Sequence, residues 1–183
     1  MEELEAIHRM KNDDIDGLET LVMQYQVKAV RAAFLITQDE ALAEDIVQDT
    51  FIRIYQRIHY FDETRSLEPY LMRSVVHAAI NAVRHNKKYL SIDGDVSRME
   101  KLMVQAISVE TEVEFAQLSS EILSALSHLP PRQRAVIVQR YYLDMSEKEM
   151  AQALNSPPGT IKWLLNVART KLRDLLASER SEE

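Results

Sequence analysis

The 183-residue chain has no cysteine, only three glycines, five prolines and a single tryptophan. Without cysteine there is no disulfide framework and no thiolate metal site. That absence fits a reducing compartment. The glycines, Gly17, Gly94 and Gly159, are too isolated to build a loop that cradles phosphate. So little glycine and proline argues against a turn-rich β protein and suits long helices. No apolar run approaches the roughly 20 residues that span a bilayer. The start, MEELEAIHRMKNDD, is acidic and polar, the wrong chemistry for a signal peptide. Catalytic patterns are missing too. His8, His59, His77, His85 and His128 are scattered, with no HExxH and no nucleophile elbow. The expectation is a cytoplasmic non-enzyme without metal, cofactor, small-molecule substrate or membrane insertion.

What is present is apolar spacing of helical period and an uneven charge. Hydrophobic residues make up 46% of the chain, enough for a core, and the net charge is −7. Residues 1–90 carry a net −4, residues 91–127 a net −5, and residues 128–183 a net +2. Tight DNA binding by the free chain is not expected, because phosphate neutralisation by Lys and Arg supplies most of such affinity. DNA reading by a chain mounted on a larger cationic machine is compatible with this balance.

The stretch from Leu129 to Ala177 reads as a helix-turn-helix. Pro130 and Pro131 mark a helix start. Ser146-Glu147-Lys148-Glu149 has the form of a capping box. Met150, Ala151 and Leu154 give the next short helix an apolar face. Asn155 can take the left-handed conformation that ends it. Ser156 is expected to cap the last helix, with Pro157 at its first position. Ile161, Leu165, Ala168, Leu172 and Leu175 then form an amphipathic stripe. Lys162, Asn166, Arg169 and Arg173 lie off that stripe, where they can meet phosphates and base edges.

In the N-terminal half a helix is expected from Ile15 to Thr37, with Thr37 capping the next one. That next helix, about 40–59, buries Ala43, Val47, Phe51, Ile54 and Ile58. Its other face shows Glu44, Asp45, Gln48, Asp49 and Ile52. A third helix, Tyr70 to Lys88, turns Leu71, Val75, Ala78, Ala79, Ala82 and Val83 inward. Arg73, His77, Asn81, Arg84, Lys87 and Lys88 are distributed around the rest. Residues 90–111 have turn residues, acids and no sustained period, and read as a flexible linker. A helix from Val113 to Leu126 is expected to pack through Phe115, Leu118, Ile122, Ala125 and Leu126. The fold class is therefore all-α: residues 1–89, the acidic linker 90–111, and residues 112–183 with the helix-turn-helix.

Two segments carry a family resemblance. LPPRQRAVIVQRYY with SEKEMAQALN and PPGTIKWLLNVARTKLRDLL resembles the C-terminal domain of extracytoplasmic-function sigma factors. AEDIVQDTFIRIY resembles the same family's segment that grips core RNA polymerase. The resemblance covers about 15–88 and 113–177, and it alone implies a role for each of three residue groups. By this likeness Glu44, Asp45, Gln48, Asp49 and Ile52 would bind core RNA polymerase. Tyr60, Phe61, Arg73, His77, Asn81, Arg84, Lys87 and Lys88 would open and hold the minus-ten element of promoter DNA. Ser156, Thr160, Lys162, Trp163, Asn166, Arg169 and Arg173 would read the minus-thirty-five element. An anti-sigma factor would be a further partner.

The chain departs from the family pattern at Tyr70, where Trp is frequent, at His77 for Asn, and at Asn81 for Asp. Trp163, Leu164 and Val167 make part of the expected DNA face apolar. Two other functions stay open at this point. One is a sigma-like interaction protein that binds a regulator or polymerase without reading DNA. The other is a free-standing helix-turn-helix transcription regulator.

Overall fold

The computed structural model describes residues 2–85 and 121–179, and among them there is no strand. The expected linker, Lys87, Lys88, Phe115 and Leu118 lie outside the described residues. The elements are α1 (Glu2–Lys11), α2 (Asp16–Thr37), α3 (Glu40–Gln56), a 3₁₀ turn (Ile58–Tyr60) and α4 (Leu67–His85). Residues 121–127 form α5. Then come α6 (Pro131–Ile137), a π-helical turn (Val138–Tyr142), α7 (Glu147–Ala153) and α8 (Pro158–Glu179).

Helix α2 is the hub, packed against α1, α3 and α4 and touching α6 as well. It ends at Gln38, whose left-handed φ of 59° lets its N–H reach the Phe34 carbonyl at 2.7 Å. The cap of α3 is Asp39 rather than Thr37: its carboxylate accepts from Leu42 N at 3.0 Å. Thr37 is still the last turn of α2, and its hydroxyl bonds only to Asp39 backbone. Ala43, Val47, Phe51 and Ile54 of α3 are buried as their period requires, and Ile58, expected in the same helix, is buried from the 3₁₀ turn that follows.

Helix α1 was not expected from the sequence. It buries Ala6, Ile7 and Met10 against α2. The two helices meet at Gly17, where a Cβ would stand 2.4 Å from the Ala6 carbonyl oxygen. Only a glycine permits that approach.

Helix α4 is buried over more of its circumference than its expected stripe. Leu71, Val75 and Ala79 are fully enclosed, while Ala78, Ala82 and Val83 are only partly so. Met72, Val76 and Ile80 are buried as well. At about 100° per residue the two rows lie roughly 100° apart on the helix. The second row is covered because α6 and α7 pack on α4. Buried residues of both halves thus form one continuous cluster.

In the C-terminal half the capping box forms as its spacing predicts. Glu149 N donates to Ser146 Oγ at 3.3 Å, and Ser146 N donates to Glu149 Oε2 at 2.8 Å. Asn155 takes a left-handed φ of 46° and closes α7. The last helix begins at Pro158, and Ser156 does not cap it. The Ser156 hydroxyl donates to the Leu154 carbonyl at 3.0 Å and accepts from Arg132 at 2.7 Å. Two apolar positions also differ from expectation. Leu164 is buried, so it is not part of an exposed apolar face, and Leu123 takes the inward place assigned to Ile122.

Candidate nucleic-acid interface

Three surfaces collect the chemistry-bearing side chains. The first is the outer face of α3. Glu44, Asp45, Gln48, Asp49 and Ile52 are all exposed, and Ile52 shows half of its surface. Arg53 folds back onto its own helix, donating to Asp49 O at 3.1 Å and to Thr50 Oγ1 at 3.2 Å. Arg53 remains exposed beside acids, an amide and an apolar centre. On α2, Met23 and Val27 are also exposed, at 79% and 57%, one helical turn apart. Sequence reading misses these two, although their i, i+4 spacing off the buried stripe is a visible signal.

The second surface is a cleft of about 650 Å³ where the α3–α4 connection meets α4. Its lining includes Arg57, Tyr60, Phe61, Arg65, Tyr70 and Arg73. Tyr60 projects almost free of the protein at 91% exposure. Phe61 and Tyr70 meet with ring centroids 5.6 Å apart, tilted by 50°. The cleft therefore offers aromatic faces and guanidinium groups together, which suits an unstacked base and its phosphates. Sequence reading does not single out Arg57 and Arg65. Their role depends on the chain folding back at Ile58–Tyr60.

The cleft loop is latched from behind by α1. Lys11 Nζ donates to the Phe61 carbonyl at 3.0 Å and lies 3.4 Å from Glu63 Oε2. His8 Nε2 is 2.9 Å from the same carboxylate. From the cleft, Tyr70, Arg73, His77, Asn81 and Arg84 continue along one side of α4 at intervals of three, four, four and three. Arg73 to Arg84 spans about 16 Å of helix, the length of roughly five stacked nucleotides. His77 and Asn81 touch through their side chains at 3.3 Å. Arg73 is already engaged, donating to Gln152 Oε1 of α7 at 2.7 Å.

The third surface is on α8. Lys162, Asn166, Arg169 and Arg173 are exposed along one stripe, and Trp163, 60% exposed, flanks it. Val167 and Thr160 are half-buried. Arg169 is positioned from outside its helix. Its Nε donates to Tyr141 Oη at 2.8 Å, and its guanidinium lies 5.7 Å from that ring's centre. Tyr141 comes from the π-helical turn, a distortion often found at functional sites. The capping box sets the entry of α7. The Ser146 hydroxyl and backbone hold the Glu149 carboxyl below the usual carboxylate range. Two cationic or amide-bearing helix faces and one acidic face thus occur on one chain. No helix among the described residues is long and apolar enough to cross a membrane.

Residues 21–89 match sigma-70 region 2, and residues 119–172 match sigma-70 region 4. The ECF RNA polymerase sigma factor SigW of Bacillus subtilis (strain 168) is 30% identical over 176 residues, covering 93% of this chain and 94% of SigW. SigM of the same organism is 28% identical, covering 86% and 94%. Solved structures share the fold. CnrH in complex with the cytosolic domain of CnrY superposes with a TM-score of 0.66 at 21% identity, covering 97% of this chain and 99% of that one. RpoE in complex with the anti-sigma factor NepR from Bartonella quintana gives 0.60 at 21% identity, covering 87% and 94%. With both sigma-70 regions in order and relatives matched over nearly their whole length, the chain belongs to the extracytoplasmic-function RNA polymerase sigma factors of the sigma-70 family.

Proposed function

We propose that the chain is an alternative sigma factor whose three surfaces divide one task, promoter-specific initiation by core RNA polymerase. The acidic and amide face of α3 binds core. The cleft with the Tyr70–Arg84 face of α4 takes the minus-ten element and an extruded base. The Lys162–Arg173 face of α8 takes the minus-thirty-five element. Residues 1–89 and 112–183 are the two working units, with 90–111 between them. The observation that carries the reading is the segregation of charge by helix face. Glu44, Asp45 and Asp49 stand together on α3, while the exposed sides of α4 and α8 carry Arg, Lys, His and Asn. RpoE of Bartonella quintana is held by an anti-sigma factor, and we extend a partner of that kind to this chain.

Run-off transcription with purified core enzyme on fragmented genomic DNA tests the reading. Discrete new starts that share an upstream motif are expected on adding the protein. No new starts with core binding intact would refute promoter reading. Asp45→Lys combined with Gln48→Ala is expected to weaken core binding at least tenfold with unchanged helicity, and unchanged affinity would refute the α3 assignment.

A further inference from the structure

The loop between the 3₁₀ turn and α4 brings Phe61 and Arg65 to the cleft, and the bonds inside it are local. Asp62 Oδ1 accepts from Thr64 N at 3.1 Å and from Thr64 Oγ1 at 2.7 Å. Arg65 N donates to the Asp62 carbonyl at 3.1 Å. A turn of this kind, closed by its own aspartate, fixes the shape of the loop. It does not fix where the loop stands against α4.

That position is set from α1, which anchors the loop at both ends. At the entry, Lys11 Nζ donates to the Phe61 carbonyl at 3.0 Å, and Lys11 and His8 converge on the carboxylate of Glu63. At the exit, Glu3 Oε1 accepts from Leu67 N at 3.1 Å. Leu67 opens α4, so its N–H is one of those that a helix start leaves without an intrahelical partner, and the helix dipole favours a carboxylate there. Glu3 is held in turn. Its Oε2 accepts from the hydroxyl of Tyr25, a buried residue of α2. Burial, and then Glu3, raise the pKa of that hydroxyl, so it stays a donor. Ala6, Ile7 and Met10, with the close approach at Gly17, seat α1 itself on α2. The helix lies before residue 21, where the match to sigma-70 region 2 begins.

We infer that α1 is a positioning element of the minus-ten site and that Lys11 is its principal residue. By holding the Phe61 carbonyl, Lys11 sets the plane of the Phe61–Asp62 peptide and with it the seat of the Phe61 ring on Tyr70, 5.6 Å away. The two rings line the cleft. A lining already in place need not be ordered when a base enters, which lowers the cost of binding. The Lys11 side chain is only 23% exposed, and it acts through the loop rather than on a phosphate.

The consequence for DNA rests on the proposed function, the seating of the loop does not, and two measurements on the full chain separate them. In the free protein, Lys11→Met is expected to speed amide exchange across residues 61–67 about tenfold, the scale of one lost charge-assisted hydrogen bond, while α2 and α3 keep the parent's rates. Lys11→Arg, which keeps a cationic donor, is expected to restore most of the protection. With core polymerase the readout is base preference, the ratio of affinities for promoter probes that are single-stranded across the minus-ten element and differ at one base. Lys11→Met is expected to bring that ratio toward unity with core binding unchanged. Equal exchange in Lys11→Met and the parent overturns the seating. A loosened loop that keeps the parent's base preference overturns the positioning role. Faster exchange throughout α2 and α3, or weaker core binding, overturns it as well, because Lys11 is then merely structural. A parent holoenzyme without base preference at any position of the probe refutes the proposed function instead, while the exchange rates still decide the seating.

Discussion

Arg134→Met is expected to stabilise the protein. Arg134 is 5% exposed in the middle of α6, among α2, α4 and α8. Burial alone lowers its pKa to about 10, with no carboxylate opposing the loss of water. Its Nε has no hydrogen-bond partner. A shift of that size corresponds to a cost of about 3 kcal/mol for keeping the guanidinium charged at neutral pH. For a base with a lowered pKa the cost is fully present below the folded value and is relieved only as pH rises above about 10. Methionine keeps an unbranched apolar stem of similar length and removes the charge. Replacement of buried charges by apolar residues of like volume has stabilised proteins by about 1–4 kcal/mol. Allowing for lost guanidinium packing, the expected gain is about 2 kcal/mol, or about 4–8 °C in Tm for a chain of this size. Urea unfolding followed by circular dichroism measures it, with Arg134→Ala as the cavity-forming control that gains less. A loss of more than about 1 kcal/mol in Arg134→Met would refute the reasoning. It would mean that the guanidinium satisfies a polar partner worth more than its desolvation.

Other expectations come from single contacts. Ser146→Ala removes the capping box and should cost about 1 kcal/mol by thermal melting at pH 7. Because Glu149 is held below its ordinary range, its share is present above pH 4.5 and lost as pH falls through the lowered value. The gap between variant and parent should therefore narrow in acid. Gly17→Ala forces a Cβ onto the Ala6 carbonyl; an overpacking cost partly offset by alanine's helix propensity leaves a net loss of about 1–2 kcal/mol. A melting point at or above the parent's would show that α1 shifts without cost. Lys162→Ala and Arg169→Ala should each lower the salt dependence of upstream-element occupancy by about 0.9 in log–log slope, measured with holoenzyme. Tyr141→Phe, which removes only the acceptor of Arg169, should weaken occupancy less and leave the slope unchanged.

The elements that can be read directly are those whose signal is local. The α3 stripe alternates with its polar face at the helical period, and both sides stand where that period puts them. The capping box needs only four consecutive residues, and Asn155 only its own tolerance of positive φ. What escapes such reading depends on residues far along the chain. Met72, Val76 and Ile80 lie off the expected stripe of α4, and two of the helices packed on α4 lie more than 50 residues away. Leu164 sits next to an exposed Trp163, yet turns inward because α8 packs on α6 and α7 together. Thr37 and Ser156 have the right chemistry for caps, and each loses the role to geometry: Asp39 stands closer to the first free N–H of α3, and Ser156 is drawn to Arg132. Arg57 and Arg65 join the cleft only because the chain reverses at Ile58–Tyr60.

The latch between α1 and the cleft loop matters for anyone who exchanges promoter specificity between relatives. The carbonyl of Phe61 and the carboxylate of Glu63 are both held by side chains of α1, some 50 residues earlier in the chain. A graft that transplants the base-contacting loop and α4 alone would seat them on a foreign first helix. The transplantable unit is discontinuous: residues 2–11 must travel with 57–85, or the aromatic rings arrive without the scaffold that aims them.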